Sequence, residues 1–143
     1  MNLEGILNVS GKAGLFKIIS QSKQIVIIES LTDGKRSPLQ ANSQANMLEE
    51  ISIYTYDDTK PLKEILNNIA KKENGKQAIS HKSPKNELIS YFRDILDNYD
   101  EERVYISDIK KVIQWYNVMQ SANLIKVPKK EKEPTKKITE VKK

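Results

Sequence analysis

Cysteine is absent from the 143-residue chain, which removes disulfides, thiolate metal sites and thiol nucleophiles from consideration. The absence fits a reducing compartment. Histidine occurs once, as His81 beside Lys82 in a polar connection, so no second imidazole or thiol exists to complete a transition-metal site. Long apolar runs are missing too: the longest, Ile25–Ile28, falls far short of the roughly twenty residues a membrane-spanning helix needs. Residues 1–5, Met-Asn-Leu-Glu-Gly, lack the basic stretch and apolar core of a signal peptide. A cytoplasmic protein without membrane attachment is the expectation.

Catalytic patterns are scarce as well. Gly34-Lys35-Arg36-Ser37 lacks the upstream glycine of a Walker phosphate loop, and no serine sits in a nucleophile elbow. The acidic stretch Asp97-Asn98-Tyr99-Asp100-Glu101-Glu102 does not follow the EF-hand order of ligands and glycine. Carboxylates are plentiful, but nothing singles out an acid–base pair. The sequence therefore predicts a non-enzyme with no catalytic residues, no cofactor and no metal.

Hydrophobic residues make up 38% of the chain and charged residues 30%, enough for one ordinary domain or two very small ones sharing an interface. The formal charge of +5 is unevenly placed. Residues 126–143 hold eight lysines against three glutamates, leaving 16 basic and 16 acidic side chains in residues 1–125. The excess positive charge belongs to an appendage, and the body of the protein is neutral.

Residues 4–56 read as short strands. Residues 5–10 and 15–20 flank Gly11-Lys12-Ala13-Gly14, a hairpin turn in which glycine supplies positive φ. Residues 24–31 form the strongest strand, Thr32-Asp33-Gly34-Lys35 a turn, and 36–40 a short strand that Pro38 confines to an edge. In 50–56, Ile51 and Ile53 alternate with Ser52, Tyr54 and Tyr56. Five short strands in this space predict a small barrel or strongly bent sheet, with an SH3-like or Tudor-like β-barrel as the preferred form. Residues 9–19, followed by Gln24-Ile25-Val26-Ile27-Ile28-Glu29, also resemble a KOW-type segment, in which a strand, a glycine-bearing turn and two further strands begin such a barrel.

The period then changes. Pro61 and Ser83-Pro84 open helices carrying Leu62, Ile65, Leu66 and Ile69, then Leu88, Phe92, Ile95, Leu96 and Tyr99. Ser107-Asp108 starts a third, with Ile109, Val112, Ile113, Tyr116 and Met119 at helical spacing. The fold class is thus α+β: a barrel over 1–58, a three-helix domain over 59–125, and a disordered lysine-rich tail over 126–143.

Gly5-Ile6-Leu7, the run from Ser10 to Lys17, Asp33-Gly34-Lys35-Arg36, the run from Glu50 to Tyr56, Arg103-Val104-Tyr105, Ser107-Asp108-Ile109-Lys110-Lys111 and Trp115-Tyr116-Asn117 carry a wider resemblance. On these segments the chain is similar to an uncharacterised Bacteroidota protein family, a domain of unknown function. Its members join a small β-barrel to a helical region. The resemblance implies that architecture and a cytoplasmic origin, and no activity.

Candidate contacts follow from chemistry. If the barrel binds RNA, Lys12, Lys17, Lys35 and Arg36 are its phosphate contacts, joined by Lys129, Lys130, Lys136 and Lys137 of the tail. Glu4, Glu29, Asp33, Glu49 and Glu50 offset them. Tyr54 and Tyr56 either stack bases or a peptide, or pack against the helix after Pro61. Trp115 is either core or a partner anchor. Lys110 and Lys111 open a helix that could read DNA, but the acidic 97–102 loop before it would repel phosphate. The expected partner is RNA or a ribonucleoprotein or transcription complex, the chain acting as an accessory protein. The alternative is a protein–protein adaptor that receives a peptide or subunit at the barrel edge or the Tyr54/Tyr56 face.

Overall fold

The computed structural model describes residues 2–12, 14–40 and 42–125. Strand β1 (Ile6–Val9) runs antiparallel to β2 (Phe16–Gln21), with Leu7 opposite Phe16. Strands β3 (Val26–Ser30) and β4 (Arg36–Pro38) continue the meander, and β5 (Ala45–Met47) returns to the free edge of β1. The order is β4-β3-β2-β1-β5, all antiparallel. A bulge between Ile18 and Ser20 shifts the register of β2 against β3, the kind of defect that bends a strand.

Alternation gives this sheet two apolar faces. Leu7, Val9, Phe16 and Ile28 form a small cluster on one, and Leu39 and Met47, from the neighbourhood of the two outermost strands, both pack against it. The sheet therefore curls over its own side chains. It does not become the closed SH3-like or Tudor-like barrel expected from the strand spacing: β4 and β5 do not pair. Both strands are only three residues long, and Pro38 in β4 has no N–H to donate.

A second correction concerns residues 50–56, expected as the last barrel strand. After a 3₁₀ turn (Leu48–Glu50), β6 (Ser52–Tyr54) pairs with β7 (Thr59–Pro61) in a separate two-stranded sheet. The return strand is instead β5, whose three residues, Ala-Asn-Met, are too few to announce a strand by alternation.

Helix α1 (Leu62–Glu73) follows Pro61 and stops where Asn74 takes a left-handed conformation, φ 55°. Helices α2 (Lys85–Ile95) and α3 (Ile106–Ser121) complete the fold. All three bury the apolar faces that their spacing predicts. Ile65, Leu66, Ile69, Leu88, Phe92, Ile109, Val112, Ile113 and Tyr116 are almost wholly inaccessible. Ile6, Leu15 and Leu48 from the N-terminal segment belong to the same cluster, so sheet and helices share one principal core. Truncating a side chain such as Phe92 to alanine removes about 3–5 kcal/mol.

No helix among the described residues is long and apolar enough to cross a membrane. The reading of 126–143 as a disordered tail, and the four tail lysines with it, lie outside the described residues.

Candidate functional site

The face of β1 opposite its small cluster carries Ile6 and Asn8. Ile6 is in the principal core, while Asn8, two residues on, is half-buried. There the sheet and α3 diverge, and two neighbouring hollows open. The first, of about 270 Å³, lies among Asn8, Asn46, Ile53, Tyr54, Arg103, Lys111 and Trp115. The second, of about 370 Å³, lies among Asn8, the 9–12 turn, Gly14, Lys111 and Trp115. Asn8, Lys111 and Trp115 border both, so the two adjoin as a groove with Tyr54 at one end and Lys12 at the other.

The groove is shaped by backbone requirements. Gly11 and Gly14 have φ of 83° and 80°, in the left-handed region that glycine enters without strain. A Cβ on Gly14 would stand 2.9 Å from Thr32 Oγ1, so close packing as well as φ favours glycine there. Across the groove, Asp108 caps α3: its Oδ2 accepts the Tyr105 backbone N–H at 2.9 Å, setting the helix that bears Lys111 and Trp115.

Lys12, Lys111 and Arg103 border the groove, and Asp108 is the acidic residue in its wall. Lys12 lies over the Phe16 ring, 5.9 Å from its centroid. Among the described residues neither Lys12 nor Lys111 is in an ion pair. Arg103 stacks on Tyr54 and donates from Nε to Asp100 Oδ2 at 2.8 Å. That hydrogen bond holds the Asp100 carboxyl below the usual aspartate range.

Part of the acidic loop's charge is matched within the protein. The loop is bound to the β6–β7 hairpin, with Asp100 N donating to Tyr54 O and Tyr56 N to Asn98 O. Asp100 is matched by Arg103, and Glu101 accepts from Arg93 at 2.8 Å and from the Tyr56 hydroxyl at 3.3 Å. Burial raises the Tyr99 hydroxyl above its ordinary pKa.

The structure divides the residues predicted from sequence. Lys12, Tyr54 and Trp115 meet in the groove. Lys17 and Arg36 lie elsewhere, in one row across the sheet on either side of Glu29, to which Arg36 is salt-bridged at 3.1 Å. Lys35 sits in the turn before β4, its N–H held by Asp33. Tyr54 and Tyr56 are 46% and 59% exposed and pack against residues 98–103 rather than vanishing under α1. Trp115 is largely buried in the principal core, yet borders both hollows.

Sequence reasoning passed over Arg103, Asn8 and Asn46. Arg103 was masked by the acidic residues before it, and a pair of asparagines across two strands has no sequence spacing that announces it. Lys111 was visible only as part of a helix start.

Other hollows are less directed. A broader depression of about 690 Å³ beside α1 and the end of α2 mixes Lys60, Lys71 and Lys72 with Asp94 and Asp97, and Lys72 is paired with Asp94 at 3.5 Å. His81 borders a hollow of about 280 Å³ with Gln77 and Asn117. Among the described residues no three His, Cys, Asp or Glu side chains gather to hold a metal ion.

Comparison with known proteins adds family and fold. Residues 3–48 match Domain of unknown function (DUF5606) and residues 51–119 match Domain of unknown function (DUF6852). A solution NMR structure from Bacteroides vulgatus, a Northeast Structural Genomics Consortium target, is 41% identical with a TM-score of 0.73. The similarity covers 87% of this chain and 90% of that one. No curated protein matches.

Proposed function

The chain belongs to an uncharacterised Bacteroidota family that joins these two domains of unknown function, and on that premise we propose that it is a non-enzymatic accessory protein associating with single-stranded RNA or a ribonucleoprotein complex. One observation carries the reading: the hollows between β1 and α3 place Lys111 and Arg103 near the rings of Tyr54 and Trp115, with Lys12 bordering the far end. Cations along a groove that tracks phosphate, with aromatic side chains against which bases pack, are the parts from which single-strand binding sites are built. The lysine-rich segment 126–143 adds sequence-independent attraction to phosphate. The N-terminal sheet, with its strand, glycine turn and two further strands, is read here as an opened relative of SH3-like and Tudor-like barrels, and the protein as cytoplasmic.

Trp115 is the chain's single tryptophan, so its emission reports on the groove without a label. Titration with single-stranded RNA is expected to change that emission, with affinity falling as salt rises by about 0.7 log units per log unit of salt for each phosphate contact. Deleting 126–143 is expected to weaken binding and flatten the salt slope. Absence of binding at low salt, or an affinity indifferent to the deletion, overturns the reading.

A second reading, a protein–protein adaptor, draws on the exposed Tyr54 and Tyr56 rings and on the outer edges of β4 and β5, unpaired among the described residues, where an added strand could pair. It predicts a discrete protein partner that survives nuclease and high salt on affinity purification.

A further inference from the structure

Asn8 and Asn46 face each other across β1 and β5. Their neighbours Leu7, Val9 and Met47 pack with the small cluster on the other face of the sheet. Alternation therefore puts both carboxamides on the groove side, and both border the hollow that also contains Tyr54 and Trp115. Asparagine is a poor strand former, and position 8 lies one pleat from the buried Ile6, where an aliphatic residue would extend the core. Among the described residues neither carboxamide makes a hydrogen bond within the protein, so each keeps an acceptor oxygen and an NH₂ donor for a ligand.

We propose that Asn8 and Asn46 form a base-reading pair that selects adenine in single-stranded RNA held in this groove. The inference rests on the RNA reading above and adds a specificity to it. A carboxamide accepts from the adenine N6 amino group while donating to N7, whereas guanine presents two acceptors on that edge and the pyrimidines have no N7. At about 270 Å³ the hollow is at the small end for ligand sites, suited to one planar base rather than an extended ligand. Tyr54 supplies ring surface beside it, the largely buried Trp115 forms part of its wall, and Lys111, which borders both hollows, is placed for the adjoining phosphate.

The test titrates the full chain with oligo(A), oligo(U) and oligo(C) of about twelve nucleotides, followed by Trp115 emission at one salt concentration. Oligo(A) is expected to bind about tenfold more tightly than the others, the usual worth of one bidentate base contact. Asn8→Ala with Asn46→Ala is expected to cost oligo(A) about tenfold in affinity and oligo(U) less, so that the preference for oligo(A) is lost. Because a strand substitution can disturb folding, the side-chain NH₂ resonances of the unaltered protein give a second readout. Those of Asn8 and Asn46 are expected to shift further with oligo(A) than with oligo(U).

Equal affinity for the three, or a preference for oligo(A) that survives in the double variant, overturns base reading and leaves the RNA groove standing. Failure of all three to bind removes the groove reading and this inference together.

Discussion

The guanidinium of Arg103 lies over the Tyr54 ring, 4.4 Å from its centroid, and so ties the acidic loop before α3 to strand β6. The same group donates from Nε to Asp100, whose Oδ1 also accepts the Glu102 N–H. One arginine thus joins an aromatic ring of the groove to a carboxylate that is almost inaccessible.

The Asp100 contact predicts an acid-sensitive term in stability. The folded-state pKa lies below the ordinary value of 3.8, so the stabilisation is present above that value and is lost as pH falls towards the lower folded pKa. Asp100→Asn is expected to lower the urea midpoint at pH 7, and the gap to the unaltered protein to narrow below about pH 4. A gap that is constant with pH would show that the carboxylate's charge is not what matters.

Charge reversal separates the groove from the rest of the basic surface. Lys111→Glu and Lys12→Glu are each expected to weaken RNA binding about tenfold at low salt and to reduce the salt slope. Lys17→Glu, opposite Glu29 and outside both hollows, is expected to leave both nearly unchanged. Fluorescence titration of the three variants at two salt concentrations makes the comparison, and equal loss in all three would place binding outside the groove.

Asn117 fastens the segment between α1 and α2. Its Oδ1 accepts the Ala78 N–H at 2.7 Å and its Nδ2 donates to Ile79 O at 3.0 Å, so one carboxamide takes the place of a strand partner. Asn117→Ala is expected to cost about 2 kcal/mol through two lost hydrogen bonds and the backbone groups left without partners. Hydrogen exchange should quicken at residues 76–80 before it changes in the helical core.

Gly14 and Gly11 share a positive φ and differ in surroundings. Alanine at either position meets a backbone penalty of about 1–2 kcal/mol. At Gly14 it also meets Thr32 Oγ1, whereas nothing stands within 4 Å of a Cβ at Gly11. Thermal unfolding is expected to rank Gly14→Ala below Gly11→Ala, and Thr32→Ala to bring Gly14→Ala closer to Gly11→Ala.

The helices were legible because each signals itself locally. Leu62, Ile65, Leu66 and Ile69, like Ile109, Val112, Ile113, Tyr116 and Met119, recur at helical spacing, and each is buried. Strands β1 to β4 were visible through turns at Gly11-Lys12-Ala13-Gly14 and Asp33-Gly34. Pairing was harder to read. The alternation of Ile53 against Tyr54 gives the correct buried and exposed faces of β6, but alternation says nothing about which strand lies alongside. Lys12 and Lys17 are five residues apart in the sequence, yet only Lys12 borders a hollow against α3. Their division depends on where α3 lies, a non-local fact.

Leu48 is wholly buried at the junction between the two matched segments, beside core residues from both. Neither segment is therefore a complete heritable unit. A lineage that lost one half would keep the other with an oily face turned to water, a state that proteolysis and aggregation remove quickly. The two halves should travel through genomes as a linked pair, fused in one reading frame or encoded side by side. Where a natural split occurs, its products should recover their fold only when expressed together.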